Sequence, residues 1–320
     1  MIIWLASHPR SGNSFMRAVI FMAFGIRTAS VYREKSNQKL TPEQEEMQRF
    51  SFDTMGYQDL PEDFNFEKAR QSKEIYIIKT HEMASVKNVG DKFIYLIRDG
   101  REVSVSYRHF ASSRMNILAD YKDIIDGVHH APNWGNWSDH VRSWNPQNNP
   151  NGLLLRFEDF TKNPKEAIQT LSKFFGLEPL SKEIPPFSEF HAKQPSHFRS
   201  GKTDSFKTEM TPDEQKYFWI AHGTVMRLFG YCSQIPEFSS AAEYAQIQDE
   251  HTFRIGSRQR SKIFELEQKV GALQNEVAIL KTAQIAETKV KVDSARIKKE
   301  GLKSFGKSLH ILFGVKNESP

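Results

Sequence analysis

The sequence predicts an α/β fold in which a parallel sheet is flanked by helices and followed by a C-terminal helical extension. Three observations lead to this prediction. Short apolar runs alternate with helical patterns, small and polar residues directly follow several of these runs, and a heptad pattern appears near the C-terminus. Strands that alternate with helices are typical of a parallel sheet that is covered on both faces.

The predicted strands are short, mostly apolar runs of six to eight residues. They are "IIWLAS" (2–7), "EIYIIKT" (74–80), "KFIYLIRD" (92–99) and "GLLLRFED" (152–159). Helical spacing of apolar residues predicts helices over 14–24, 101–110 and 164–176. In such sheets ligands bind at the carboxyl ends of the strands, so the residues after each run are the candidate site.

Four segments are predicted along the chain. Residues 1–235 form the α/β domain, 236–259 a linker, 260–300 a coiled-coil helix, and 301–320 an amphipathic or disordered tail. The tail carries lysines beside an apolar face, which is compatible with a peripheral membrane contact or with a packing segment.

The coiled-coil prediction depends on apolar residues that recur at spacings of three and four over three heptads. They are Ile263, Leu266, Val270, Leu273, Val277 and Leu280. Beyond Leu280 this seam meets Gln284 and Glu287 and weakens. An isolated amphipathic helix is marginal in water, so the seam predicts a homo-oligomer, with docking on the chain's own domain as the alternative.

Charge and cysteine content limit the function classes. The formal charge is +5, but residues 251–320 carry 14 Lys and Arg against 7 Asp and Glu, so the basic surplus lies in the extension and nucleic acid is not an expected partner. Cys232, the one cysteine, excludes an internal disulfide and is expected to be buried. No leader pattern or membrane-length apolar stretch is present in the sequence, and we expect a cytoplasmic protein.

The stretch "SHPRSGNS" after the first run predicts an anion site. Gly12 allows a close backbone approach, Ser11, Asn13 and Ser14 offer short polar side chains, and Arg10 adds a permanent charge. The alternative is a capped turn with Ser14 as the N-cap. The Lys-Ser/Thr ending that holds Mg²⁺ in kinases and ATPases is missing, which favours a phosphate-type anion bound without a metal.

Two further strand ends carry candidate residues. "IIKTHEM" delivers Lys79 and His81 to the sheet edge, and a histidine there has the pKa for general-base work. "LIRDGREVSVS" places Arg98 at a strand end and Ser106 two turns into the next helix, where Arg can hold a phosphate.

Together these stretches resemble the cytosolic sulfotransferase family, whose donor is 3′-phosphoadenosine 5′-phosphosulfate (PAPS). The family's phosphosulfate loop, Pro-Lys-Ser-Gly-Thr-Thr-Trp, is matched by residues 9–15, and its Lys-Thr-His by residues 79–81. Its Arg and Ser eight residues apart are matched by Arg98 and Ser106. "GNWSDHVRSW" (135–144), "RFEDFTKNPKEAI" (156–168) and "FRSGKTDSFKTEMT" (198–211) match later family segments. The likeness covers residues 1 to about 230 and implies the P-loop-like sulfotransferase fold.

The resemblance also implies roles for individual residues. His81 would be the general base, with Arg10 and Lys79 stabilising charge on the transferred group. The PAPS-binding residues would be Arg10, Ser11, Gly12, Asn13, Ser14, Phe15, Arg98, Ser106, Phe157, Phe187, Arg199, Ser200 and Gly201. Of these, Phe15, Phe157 and Phe187 would pack on adenine, and Arg98, Ser106 and Arg199 would hold the 3′-phosphate.

The expected reaction is sulfuryl transfer to an acceptor hydroxyl on a carbohydrate, lipid or small phenol or alcohol. A non-catalytic coiled-coil scaffold with a degenerate nucleotide-binding fold and a nucleotide kinase are the alternatives. No metal is expected, because His129, His130 and His140 lack ligand spacing and are interpreted as solvated loop residues. Trp134, Trp137 and Tyr121 are candidates for the acceptor pocket or for the core.

Overall fold

The computed structural model describes residues 1–32, 41–85, 88, 90–131, 133–195, 198, 201 and 203–313. Arg199 and Ser200, two of the predicted donor-site residues, lie outside the described residues, as do residues 314–320 of the predicted tail. The chain forms two compact units, one from Met1 to His251 and one that begins at Thr252.

Within the described residues, five parallel strands form one sheet and confirm the predicted architecture. They are β1 (Ile2–Ser7), β2 (Thr28–Ser30), β3 (Tyr76–Thr80), β4 (Lys92–Ile97) and β5 (Gly152–Arg156). The strand order is β2-β3-β1-β4-β5, so β1 lies at the centre between β3 and β4. The sequence prediction missed β2, because three residues are too short to show a period. It also extended β5 too far, because a helix begins at Phe157.

Helices fill the connections between the strands and follow the sheet. In chain order they are α1 (Asn13–Phe24), α2 (Pro42–Asp53), α3 (Phe66–Gln71), α4 (Gly100–Met115), α5 (Tyr121–Ile125), α6 (Trp137–Trp144), α7 (Phe157–Lys162), α8 (Pro164–Phe175), α9 (Phe187–Lys193), α10 (Phe206–Glu209), α11 (Pro212–Leu228) and α12 (Ala241–Phe313). None of these helices combines the length and the apolar character that a membrane span requires.

The sheet has an apolar core on each face, which explains why its strands are continuous apolar runs. Successive side chains of β1 alternate between the faces: Ile3 and Leu5 join a cluster with α1 and α8, whereas Trp4 and Ala6 join one with α4, α6 and α11. Because apolar clusters cover both faces of the sheet, a polar site is expected in the loops at its carboxyl edge.

The predicted linker, 236–259, is wrong from Ala241 onward, because α12 begins there. Ser240 caps this helix by accepting a hydrogen bond from the Glu243 backbone N–H at 3.1 Å. Glu243 also accepts a hydrogen bond from Lys216 of α11 at 2.5 Å, so the first turn of α12 contacts α11 within the first unit. Cys232, expected to be buried, is exposed.

Candidate active site

The candidate site lies where the three central strands end. In the registers β1–β3 and β1–β4, Ala6 is opposite Thr80 and Ser7 is opposite Leu96. The chain leaves β1 toward β2 and β3 on one side and later returns to β4 on the other, which makes this edge a topological switch point. The residues after β1, β3 and β4 are therefore neighbours, as the sequence predicted.

The loop after β1 delivers an uncapped helix N-terminus to this edge. Gly12 is the N-cap of α1, has a φ of 93° and leaves the helix without a side-chain cap. A Cβ at this position would lie 2.4 Å from Cδ2 of Phe157, so only glycine fits. The capped-turn alternative with Ser14 is therefore wrong, and the first backbone N–H groups of α1 can bind an anion together with the helix dipole.

Two buried side-chain oxygen atoms in the loop lack hydrogen-bond partners among the described residues. Ser11 is 1% exposed and its Oγ has no hydrogen bond, and Oδ1 of Asn13 has none either. The Asn13 amide nitrogen donates to Leu5 O at 3.3 Å and to Ser7 Oγ at 3.2 Å, so this side chain faces the strand. A buried polar group without a partner costs about 1–3 kcal/mol, which a polar ligand can recover.

The structure brings Arg10, Arg98 and Ser106 together. Arg10 has a φ of 71°, which is uncommon for a residue with a side chain. Its Nε donates to Ser106 Oγ at 3.1 Å, and its carbonyl accepts from Nη1 of Arg98 at 3.2 Å. Hydrogen bonds therefore connect Arg98 and Ser106 to the loop after β1 through Arg10.

Glu102 belongs to this group but was missed at the sequence level. It is fully buried on α4, where one carboxylate oxygen lies 3.4 Å from Nη2 of Arg98 and the other accepts from the Phe206 backbone N–H at 2.9 Å. The carboxylate compensates the Arg98 charge and connects the 203–210 segment to the site. The i,i+4 spacing of Arg98 and Glu102, two oppositely charged residues, was the available signal.

His81 follows β3 and has a defined tautomer. Its Nδ1 lies 2.7 Å from the carbonyl oxygen of Ser7, which can only accept a hydrogen bond, so Nδ1 carries the proton and Nε2 carries the lone pair. Burial and then the charge of Lys79 lower the pKa of His81 well below 6.5. The imidazole is therefore neutral at pH 7 and can accept a proton at Nε2.

Two aromatic side chains, Tyr32 and Trp134, contact His81. The Tyr32 hydroxyl accepts from the His81 backbone N–H at 2.9 Å and from Trp134 Nε1 at 3.2 Å, and both rings contact the imidazole. The Lys79 ammonium lies 4.8 Å above the Tyr32 ring. Tyr32 was not predicted, because it follows the missed strand β2.

Of the three aromatic residues predicted for the acceptor pocket or the core, Trp134 lies beside His81. Trp137 and Tyr121 lie in the core, with exposed fractions of 3% and 1%. These two rings support the fold from α6 and α5. Among the described residues, the rings of Tyr32 and Trp134 therefore flank His81.

The predicted adenine-binding rings form a phenylalanine cluster. Phe15 and Phe157 are buried, and Arg98 lies 4.3 Å above the Phe157 ring. Phe187 is half-buried and contacts both rings, at centroid distances of 5.2 and 6.0 Å. A Cβ at Gly201, where φ is 63°, would lie 2.8 Å from Phe187, so this glycine fits tightly against the cluster.

Three histidines that contact one another, His8, His130 and His140, are buried rather than solvated. His130 and His140, expected in exposed loops, are 8% and 0% exposed and pack edge-on against His8 at 4.7 and 5.7 Å. Burial lowers the pKa of His130 to about 4 and that of His140 to about 3. Despite this clustering, the described residues contain no group of three His, Cys, Asp or Glu side chains that could hold a metal ion.

Comparison with known proteins identifies the first unit. The family model described as "Sulfotransferase domain" matches residues 2–230. Human sulfotransferase 1C2 is 32% identical over 130 residues, which cover 36% of this chain and 42% of the relative. Zebrafish (Danio rerio) sulfotransferase 6B1 is 28% identical over 144 residues, or 39% of this chain and 48% of the relative. The chain thus matches less than half the length of these curated relatives.

Solved structures give similar matches at lower identity. Mouse sulfotransferase SULT7A1 complexed with PAP is 21% identical, covers 72% of this chain and 86% of that chain, and has a TM-score of 0.48. Retinol dehydratase in a complex with retinol and PAP is 16% identical, with a TM-score of 0.47. The match covers 71% of this chain and 81% of that chain.

Proposed function

The chain belongs to the sulfotransferase family, and we propose that it transfers a sulfuryl group from PAPS to an acceptor hydroxyl. The observation that carries the proposal is the hydrogen bond from His81 Nδ1 to Ser7 O, which leaves Nε2 as a base beside an uncapped helix N-terminus. An anion site and a neutral imidazole at one sheet edge are what transfer of an anionic group to a hydroxyl requires.

The loop after β1 would hold the 5′-phosphosulfate. Backbone N–H groups at residues 12–15 and the Ser11 hydroxyl are the donors, because the helix lacks a cap and the Ser11 Oγ lacks a partner among the described residues. Asn13 contributes its backbone N–H, since its side-chain amide is bonded to β1. When bound, PAPS supplies the activated sulfuryl group.

Arg98 and Ser106 would hold the 3′-phosphate, together with Arg199, Ser200 and Gly201 of the late loop. The support is the contact network that joins Arg10, Arg98 and Ser106. Adenine would lie against the phenylalanine cluster. Phe187 is its half-buried member and offers the ring face, while the buried rings of Phe15 and Phe157 support it.

His81 would take the proton from the acceptor hydroxyl at Nε2 while that oxygen bonds to sulfur. The bond between sulfur and the bridging oxygen of the 5′-phosphate breaks at the same time, and the desulfated bisphosphate nucleotide leaves with that oxygen. The Nδ1–H bond to Ser7 O orients the ring and stabilises the imidazolium that forms. Lys79 and Arg10 would stabilise the negative charge on the sulfuryl and bridging oxygens. Because arginine does not readily lose a proton, Arg10 acts as a hydrogen-bond donor and not as an acid.

The acceptor would be a hydroxylated carbohydrate, lipid, or small phenol or alcohol. Tyr32 and Trp134 flank His81 and can pack against an apolar or planar face next to the reacting hydroxyl. A panel of hydroxylated acceptors with labelled PAPS would identify the class, with the transferred label as the readout.

The test of the proposal compares wild type with His81→Asn. Asparagine retains an N–H that can donate to Ser7 O but has no basic nitrogen, so orientation is preserved and proton transfer is lost. We expect turnover to fall by about 10²–10⁴-fold with little change in donor affinity, measured by transfer assays and calorimetry. Near-normal turnover of this variant would disprove the base assignment.

The same assays separate the two alternatives. A nucleotide kinase would need Mg²⁺ and ATP, whereas the proposed enzyme transfers sulfuryl from PAPS without added metal. A scaffold with a degenerate site would bind no donor and transfer nothing to any acceptor in the panel. Both outcomes would overturn the proposed activity.

We also propose that α12 mediates self-association of the chain. Its heptad residues are 47–61% exposed, which leaves an apolar stripe on the helix surface. Membrane contact by residues 301–320 and a cytoplasmic location stay predictions.

A further inference from the structure

We infer that α12 pairs with α12 of a second copy of this chain as a parallel, two-stranded coiled coil. The inference rests on the self-association proposed above and adds the number and orientation of the helices. It does not depend on the proposed reaction, because every residue that carries it lies within 260–281, in the second unit.

The core positions favour two parallel strands. The spacing of three and then four residues assigns Ile263, Val270 and Val277 to position a, and Leu266, Leu273 and Leu280 to position d. β-branched residues at a with leucine at d are the combination that favours parallel dimers, whereas isoleucine at d favours trimers and tetramers. All three d positions here are leucine.

The flanking charges favour the same orientation. In a parallel dimer, position g of one helix faces position e of the next heptad in the other. Lys262 then faces Glu267 of the second copy, and Glu276 faces Lys281 of the second copy. These side chains are exposed, and among the described residues Lys262 contacts Glu265 of its own helix, at 3.2 Å.

An antiparallel dimer that buries the same six apolar residues has poorer charge pairing. In that arrangement Ile263 of one helix faces Leu280 of the other. Position e of one helix faces position e of the other, and position g faces position g. Lys269 would meet Glu276 favourably, but Arg260 would meet Lys281 of the other copy. The parallel arrangement has two kinds of attractive pair and no repulsive one, so it is favoured.

Lys281→Glu in the full-length protein tests the orientation. In a parallel dimer this change places Glu276 opposite a second carboxylate in both symmetry-related pairs. Each pair loses an attraction and gains a repulsion, each a factor of about two, so association weakens by about 16-fold. In an antiparallel dimer the same change would place opposite charges at Arg260 and position 281 and strengthen association. Sedimentation equilibrium, with the chain mass of 37.0 kDa as reference, measures both the stoichiometry and the affinity.

Two matched variants complete this experiment. The double change E276K/K281E exchanges the charges and should restore parallel association, and Lys165→Glu makes the same charge change on the first unit and should have no effect. Tighter association of K281E, or a stoichiometry other than two, overturns the inference while leaving self-association intact. A wild-type monomer at all concentrations overturns both.

Disulfide trapping provides a second readout. In a C232S background, which removes the exposed native thiol, L266C should link to itself because identical d positions meet in a parallel dimer. In the antiparallel dimer, residue 266 lies opposite residue 277, about 16 Å along the helix from its own copy. Trapping by L266C/V277C but not by L266C alone would contradict the parallel arrangement.

Discussion

Helices α1 and α11 begin in opposite ways, although both lie in the first unit. Helix α11 starts with a capping box in which Thr211 and Glu214 satisfy each other's backbone N–H groups. Helix α1 starts at Gly12 with no side-chain cap, beside a buried Ser11 hydroxyl with no partner among the described residues. The difference supports the proposal that the loop after β1 binds a ligand, because the Ser11 hydroxyl and a helix start without a side-chain cap contribute little to the stability of the ligand-free fold.

The largest expected effect comes from closing the loop that α1 leaves open. Gly12→Ala would place a Cβ 2.4 Å from the Phe157 ring at a φ of 93°, so the loop must shift, and PAPS affinity should fall by about 100-fold. Isothermal titration calorimetry with PAPS or its desulfated product measures this change.

Gly176→Ala is the matched control for this substitution. Gly176 also has a positive φ, 69°, but a Cβ there would contact nothing within 4 Å. We expect this variant to lose some stability and to retain donor affinity. Equal losses of affinity in both variants would show that the effect of Gly12→Ala is general backbone strain.

Buried histidines should make the fold sensitive to acid. His222 bonds Ser138 and the Ile125 carbonyl through its two ring nitrogens, and burial lowers its pKa to about 3, as for His140, with His130 at about 4. Below pH 6.5 the unfolded chain takes up protons that the folded chain cannot. Each of these histidines therefore removes about 1.4 kcal/mol of unfolding free energy per pH unit as the pH falls from 6.5.

Urea unfolding at pH 7.5, 6.0 and 5.0 measures this loss. Stability should be constant above pH 6.5 and fall steeply below it, and His222→Gln should reduce the slope by about one histidine's share. An unfolding free energy that does not change between pH 7.5 and 5.0 would contradict the burial of these side chains.

The smallest expected effects come from single hydroxyl groups at the two helix starts. Ser11→Ala removes a group without a partner among the described residues, so ligand-free stability should hardly change, while donor affinity falls by about tenfold. Thr211→Ala removes a cap, so stability should fall by about 1 kcal/mol with donor affinity unchanged. Melting curves measure the stability of the two variants, and calorimetry measures their donor affinity. Equal destabilisation of the free protein by Ser11→Ala and Thr211→Ala would contradict the account.

The sheet and the convergence of its edges could be predicted from the sequence because they follow from local patterns. The buried strands β1, β3 and β4 are apolar runs, and their polar successors, Arg10, His81 and Arg98, must share one edge of a parallel sheet. The start of α12 is also visible in the sequence, because Ser240 and Glu243 form a Ser-x-x-Glu capping signal within the predicted linker.

Other features depend on tertiary contacts that one sequence does not display. Tyr32 reaches His81 and Trp134 from a three-residue edge strand, and the His81 tautomer depends on the carbonyl of Ser7. His140 is an intermediate case. Its hydrogen bond to Tyr95 could not be predicted, but its place in the helical face of Trp137 and Trp144 indicates burial.

The central claim is that the uncapped α1 and the Arg98–Ser106 group hold a nucleotide with phosphates on both the 5′ and 3′ positions. Calorimetry of the wild-type protein with the desulfated donor, against AMP and ATP, tests this claim directly. We predict that the 3′,5′-bisphosphate binds at least about tenfold more tightly than AMP, because a charged phosphate contact contributes about 1.4 kcal/mol or more. No heat with the bisphosphate, together with tight binding of ATP, would contradict it.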